Sequence, residues 1–186
     1  MFTRKRREEI IRTIYTELSQ AVHCKNEVLS ARFVCEDDIR RIWSSVRIAG
    51  IAKGLKWPKS QEDVEKSYRK VLSTLVWIHW DKWESFGDIF LNSPNRSDDN
   101  IPIEDVGFLE SDSFVDKFMS SQYIFKPVVL AEDDRTVTSY SKYTEHHRLP
   151  FLDSKKIGQG SSGTVHKVVI PPGYIKHRGS VRNSEV

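Results

Sequence analysis

Between Arg4 and Val22 the apolar residues Ile10, Ile11, Ile14, Tyr15, Leu18 and Val22 return every third or fourth position, which predicts an amphipathic helix. A second helix is predicted to open on Glu36-Asp37-Asp38, three acids suited to the positive end of a helix dipole. It would carry Ile39, Ile42, Trp43, Val46 and Ala49 on one face until Gly50, Gly54 and Pro58 end it. The third starts at Ser60, with Asp63 three residues on as a capping-box variant. Val64, Tyr68, Val71, Leu72, Leu75, Val76, His79 and Trp83 form its stripe as far as Trp83 or Ser85. Trp77, Trp80 and Trp83 widen that stripe, so the helix is expected to be contacted on more than one side, with His79 inside the aromatic core. Asn92 to Asn100 reads as a polar loop. Glu104-Asp105 and Ser111-Asp112 open two short helical candidates, the second burying Phe114, Val115, Phe118 and Met119. Ile124 to Leu130 reads as an extended apolar segment docked on the helices.

The period changes after Pro150. Pro150 to Ile157 has apolar ends and a polar middle, as an exposed strand does. Then comes Ile157-Gly158-Gln159-Gly160-Ser161-Ser162-Gly163-Thr164-Val165, a G-x-G-x-x-G-x-V pattern able to lay backbone amides over phosphates. Two phosphate-binding architectures share those glycines. In the dinucleotide fold they lead into a long packing helix. Here Thr164, Val165, Val168, Val169 and Ile170 favour a strand, and Pro171-Pro172 would break a helix begun at Gly163 after about two turns. The dinucleotide reading fails, and strand, glycine loop, strand remains. The fold class expected is mainly α: a helical region over residues 1–141, then a β-hairpin segment over residues 142–186 whose end, from Lys176 on, is polar and expected to fray.

Composition narrows the partners. Of 186 residues, 38% are hydrophobic and 30% charged, enough for a core in a soluble chain. The net charge of +3 is too small to imply nucleic acid or an anionic membrane. No apolar run of about eighteen residues predicts a membrane span, and the basic start Arg4-Lys5-Arg6-Arg7 lacks the apolar core of a secretory signal. That cluster reads as a solvated helix start beside Glu8 and Glu9; nuclear import or nucleic-acid contact is the sharper alternative. Cys24 and Cys35 form no disulfide framework or zinc spacing and suit a reducing compartment, the cytoplasm with the nucleus open. Asp98-Asp99 and His146-His147 lack the spaced partners of a metal site.

Residues Leu149 to Ile170 resemble the first two strands of a protein kinase N-lobe. The resemblance implies that Gly158, Gly160 and Gly163 are the loop glycines and that Ile157 and Val165 close over the adenine ring of ATP. The backbone of Gln159, Ser161, Ser162 and Thr164 would face the phosphates. Ser162 stands where kinases often have an aromatic cap, which weakens the lid. The phosphate-holding lysine of the next strand has one candidate, Lys176, at a short spacing. This chain contains no His-Arg-Asp loop, metal-binding Asp-Phe-Gly or asparagine for a second magnesium. The expectation is therefore the front end of a protein kinase, Ser/Thr by preference, with an ATP loop but incomplete catalytic machinery; Mg would enter only if a full kinase domain followed. A protein partner is expected for the helical leader. The alternative from another class is a non-enzymatic helical interaction module whose hairpin merely looks like a nucleotide loop.

Overall fold

Helix α1, Phe2–Ala21, forms where the apolar stripe predicts it and buries Ile14 and Leu18. A computed structural model describes residues 2–23, 32–101, 103, 104, 106–109, 111–131, 147–161 and 163–176. The readings made on Cys24, Asp105, Ser162 and His146, the boundary expected between residues 141 and 142, and the tail from residue 177 lie outside them. The protein is mainly helical with an antiparallel hairpin towards its C-terminal end, as the patterning predicts. It divides into two units, Met1–Val22 with Val34–Lys126, and His23–Phe33 with Pro127–Val186.

In the helical unit, the single helix expected after Glu36 is two: α2, Glu36–Ile42, and α3, Ser45–Ala52. Ser44 takes an extended backbone and its hydroxyl accepts the Arg47 N–H, so a new N-cap interrupts the apolar run. Trp43 uses the break to enter the core, where its indole N–H donates to Ser73 Oγ at 2.8 Å. The change of direction turns Val46 outward, 81% exposed, while Ile48 and Ile51 take the buried positions.

Arg47 holds this elbow to α1. Its guanidinium donates to both carboxylate oxygens of Glu17, at 2.8 and 2.6 Å, and to the Ile42 carbonyl at 2.7 Å. The hydrogen bond from Arg47 keeps the Glu17 pKa below its ordinary value of 4.5. That contribution is present above the unfolded value and is lost as pH falls through the lower, folded one. Arg47→Ala should cost about 1–2 kcal/mol at neutral pH, and the difference from wild type should shrink as acid unfolding is approached. An equal difference at pH 3 and pH 7 would contradict this.

Arg7 corrects the picture of a solvated basic start. It is 6% exposed, with Nε donating to the Ile51 carbonyl at 2.8 Å, Nη2 to that of Lys53 and Nη1 to Glu84. It therefore satisfies carbonyls at the end of α3, which a helix terminus leaves without intrahelical donors.

Helix α4, Gln61–Trp77, starts at the predicted cap: Ser60 Oγ accepts the Asp63 N–H at 3.1 Å and donates to the Asp63 carboxylate. Residues Val71 to Val76 are buried all round, as the broad stripe implies. The helix ends sooner than expected. His79 adopts φ 56°, its N–H bonds the Val76 carbonyl and the Trp80 N–H reaches back to that of Leu75. That is a Schellman stop with histidine at the usual glycine position. The apolar pattern continues through this stop because Trp80 and Trp83 come from the following turn and meet edge to face at 5.4 Å. His79 is thus exposed, its ring 4.6 Å from Tyr15, and not the core histidine expected.

A 3-10 turn at Trp83–Ser85 and a π-helical turn at Gly87–Leu91 follow. The first of the two short helices proposed beyond the loop is a 3-10 turn, Gly107–Leu109. The second is α5, Asp112–Phe125, which extends through Ile124 and Phe125 because both are buried on its core side. Pro127 then forbids a helical Lys126. Phe114 and Val115 are only half-buried.

The second unit contains two separate two-stranded sheets among the described residues. Strands β1, Leu130–Ala131, and β4, Ile175–Lys176, pair in parallel; β2, Asp153–Gly160, and β3, Gly163–Val169, pair antiparallel. Phe33 and Tyr174 meet edge to face at 6.3 Å.

Candidate functional site: the glycine-rich hairpin

The strand-loop-strand reading of residues 153–169 is what the chain forms. The ladder pairs Asp153 with Val169, Ser154 with Val168, Lys155 with Lys167 and Lys156 with His166, then Gly158 with Val165, Gln159 with Thr164 and Gly160 with Gly163. Ser161 lies in the two-residue tip and Ser162 beside it is outside the described residues. The register slips once, at Ile157, which bulges so that Ile157 and Gly158 together oppose Val165. The bulge thereby brings together the two apolar residues that the kinase resemblance places over adenine. Both are uncovered: Ile157 is 61% exposed and Val165 57%.

The glycines are informative by elimination. None of Gly158, Gly160 and Gly163 uses a left-handed backbone angle. An added Cβ would meet nothing within 4 Å at Gly158 or Gly163, and only the Gly163 carbonyl at 4.0 Å from Gly160. Neither backbone conformation nor packing within this unit requires glycine, so the bare backbone leaves open surface where a ligand can approach closely. Because the ladder runs on to Gly160 and Gly163, the amides available to such a ligand are those facing away from the partner strand and those of the tip.

Charge on the hairpin is mostly positive. Lys155 and Lys167 are directly opposite on one face, a like-charge pair that disfavours the ladder. By strand alternation they share that face with Val165 and the three glycines. On the other face Lys156 Nζ donates to Gln159 Oε1 at 2.5 Å, and Ser154 Oγ is 3.1 Å from His166 Nδ1. The Lys155–Lys167 pairing escaped sequence reading because it depends on the bulge and on a two-residue tip; twelve positions apart, the two lysines give no local signal. In the same unit Arg148 is 9% exposed, and its Nε has no hydrogen-bond partner among the described residues. Burial first, then the nearby Arg32, pushes its pKa down.

Lys176 does not reach the position the resemblance requires. Its strand pairs with Leu130–Ala131 instead of lying beside β3, so the lysine-bearing third strand of a kinase N-lobe is not formed by it. Cys35, in the helical unit, is a free, half-buried thiol. Burial, then Asp38 and Asp37, raises its pKa to about 11, which keeps it protonated and unreactive at neutral pH. No helix among the described residues is long and apolar enough to cross a membrane. No protein-family model, curated protein or solved structure matches the chain.

Proposed function

We propose that the β2–β3 hairpin is an ATP-binding glycine-rich loop of the protein kinase kind, and that this chain is the front part of a Ser/Thr-type kinase. The observation that carries the reading is three glycines in the G-x-G-x-x-G-x-V order at positions where nothing in the fold requires glycine. Ile157 and Val165, together at the bulge and exposed, suit the adenine ring; the outward amides of Gln159, Ser161 and Thr164 suit the phosphates. Lys155 and Lys167 add positive charge on the glycine-bearing face. Without a base or metal ligand in this chain, the loop binds nucleotide but transfers no phosphoryl group. Mg would join only through residues of a complete kinase domain. The helical unit acts as a leader that docks a protein partner, in the cytoplasm with the nucleus open. Nucleic acid and membrane are not partners in this reading.

The second reading, a non-enzymatic helical interaction module, is favoured by one specific observation: Lys176 pairs away from the hairpin. Calorimetric titration with a non-hydrolysable ATP analogue separates the two. Gly160→Asp sets a carboxylate against the phosphates, and the free space around Gly160 means the fold should tolerate it. Affinity should fall by at least about tenfold, roughly 1.4 kcal/mol, with the thermal midpoint unchanged. Gly158→Ala and Gly163→Ala should likewise leave stability within about 0.5 kcal/mol of wild type. No heat at millimolar analogue removes ATP and leaves the interaction module.

A further inference from the structure

A second site is formed in the helical unit, between α1 and the turn after α4. A cavity of about 400 Å³ there is lined by Ile11 and Tyr15 on one side and by His79, Trp80 and Trp83 on the other. Its size falls within the range of small-molecule clefts. Around it stand three arginines and three acids, and most of these charges already have partners. Arg4 pairs with Glu8 at 3.1 Å, and Arg7 with Glu84 at 2.8 Å. Arg12 and Asp81 remain, one charge of each sign, both exposed and in no ion pair among the described residues.

Two further features mark the cavity. His79 on its rim holds φ 56°, a left-handed angle that costs a non-glycine residue on the order of 1 kcal/mol. Glycine would terminate α4 at less cost, so the histidine side chain, set 4.6 Å from the Tyr15 ring, has a use that the helix stop does not supply. Trp80, 2% exposed in the cavity wall, has an indole N–H without an acceptor among the described residues.

We propose that this cavity binds a small aromatic zwitterion of the amino-acid class. The aromatic body lies against Ile11, Tyr15, His79 and Trp83. The ligand carboxylate faces the Arg12 guanidinium, and a small turn of the indole gives it the Trp80 N–H. The ligand ammonium faces Asp81. A ligand bearing one charge leaves either Arg12 or Asp81 without a partner, which is how the site discriminates.

Calorimetric titration of the intact 186-residue chain with L-phenylalanine, 3-phenylpropionate and 2-phenylethylamine tests this. Phenylalanine should bind at least about tenfold more tightly than either singly charged analogue. Arg12→Gln should erase its advantage over 2-phenylethylamine, and Asp81→Asn its advantage over 3-phenylpropionate. Both residues are exposed, so these variants should fold. His79→Gly should raise the thermal midpoint while weakening phenylalanine binding, opposite signs that a purely structural histidine would not give. Equal affinity for phenylalanine and phenylpropionate, no binding by about 10 mM, or His79→Gly leaving affinity unchanged would each overturn the assignment.

Discussion

Phe86→Ala is expected to destabilise the helical unit by about 3–5 kcal/mol. Phe86 is fully buried, with Phe90 stacked on it at 5.2 Å and Trp57 4.7 Å away. Trp83, Tyr68 and Trp80 surround it at 6.2 to 6.5 Å between ring centres. The ring therefore joins α4, the segment before it and the two irregular turns after it. Five rigid aromatic neighbours cannot collapse into the vacated volume, so the cavity penalty adds to the lost transfer free energy. Since a whole domain is stable by only about 5–15 kcal/mol, a large share would be lost. Phe86→Leu, which keeps most of the volume, should cost less than about 1.5 kcal/mol. Urea unfolding followed by tryptophan fluorescence measures both; a shifted midpoint at unchanged slope is the expected form. A Phe86→Ala loss below 1 kcal/mol would mean that the aromatic cluster is not the centre of this core.

Much of this architecture is legible in the sequence, and what is hidden has a common cause. The stripe Ile14–Leu18 and the Ser60–Asp63 cap report local periodicity and local hydrogen bonding, and both are found where expected. The glycine hairpin is legible for the same reason, since β-branched residues and Pro171-Pro172 exclude a helix beside it. Periodicity cannot report where the chain turns while staying apolar. Trp43-Ser44 splits one expected helix into two, and His79 ends another without a glycine. In both cases buried aromatics continue the apolar pattern across the break. Long-range polar partners are equally silent: Arg7 reads as one more surface arginine until the carbonyls of Ile51 and Lys53, more than forty residues away, are seen at its guanidinium. At the candidate site, residue identity reveals the loop. The Ile157 bulge, the Lys155–Lys167 pair and the open space around the glycines need the register.

The most severe polar substitution should be Asp98→Ala. Asp98 sits in a loop that composition describes only as polar, yet its carboxylate accepts the backbone N–H groups of Lys70 and Val71, in the middle of α4, at 2.9 to 3.0 Å. Lys126 fastens the same loop from the other side, its ammonium donating to the carbonyls of Asp98, Asp99 and Ile101. Lys70 in turn pairs with Glu36 at 2.8 Å, so α2, α4, the loop and the end of α5 meet at one cluster of charges. Removing the carboxylate takes away the acceptor that ties these two amides to the loop, together with a negative charge near Lys70 and Lys126, a loss of about 1.5–3 kcal/mol. Asp98→Asn tests which part of that matters. Oδ1 alone accepts both amides, so a carboxamide oxygen at its position preserves them, and the expected cost is about 1 kcal/mol or less. Burial dominates the titration of Asp98 and raises its pKa above 3.8, outweighing the amides and Lys70. The folded chain thus holds that proton more tightly than the unfolded one. The contribution favours folding at low pH and is lost as pH rises from 3.8 through the folded value, opposite in sign to that of Glu17. Urea unfolding at several pH values should therefore show Asp98→Asn closing the gap with wild type, or passing it, as pH rises through that window. A gap that widened instead would show that the charge of Asp98, more than its capacity to accept hydrogen bonds, holds the loop to α4.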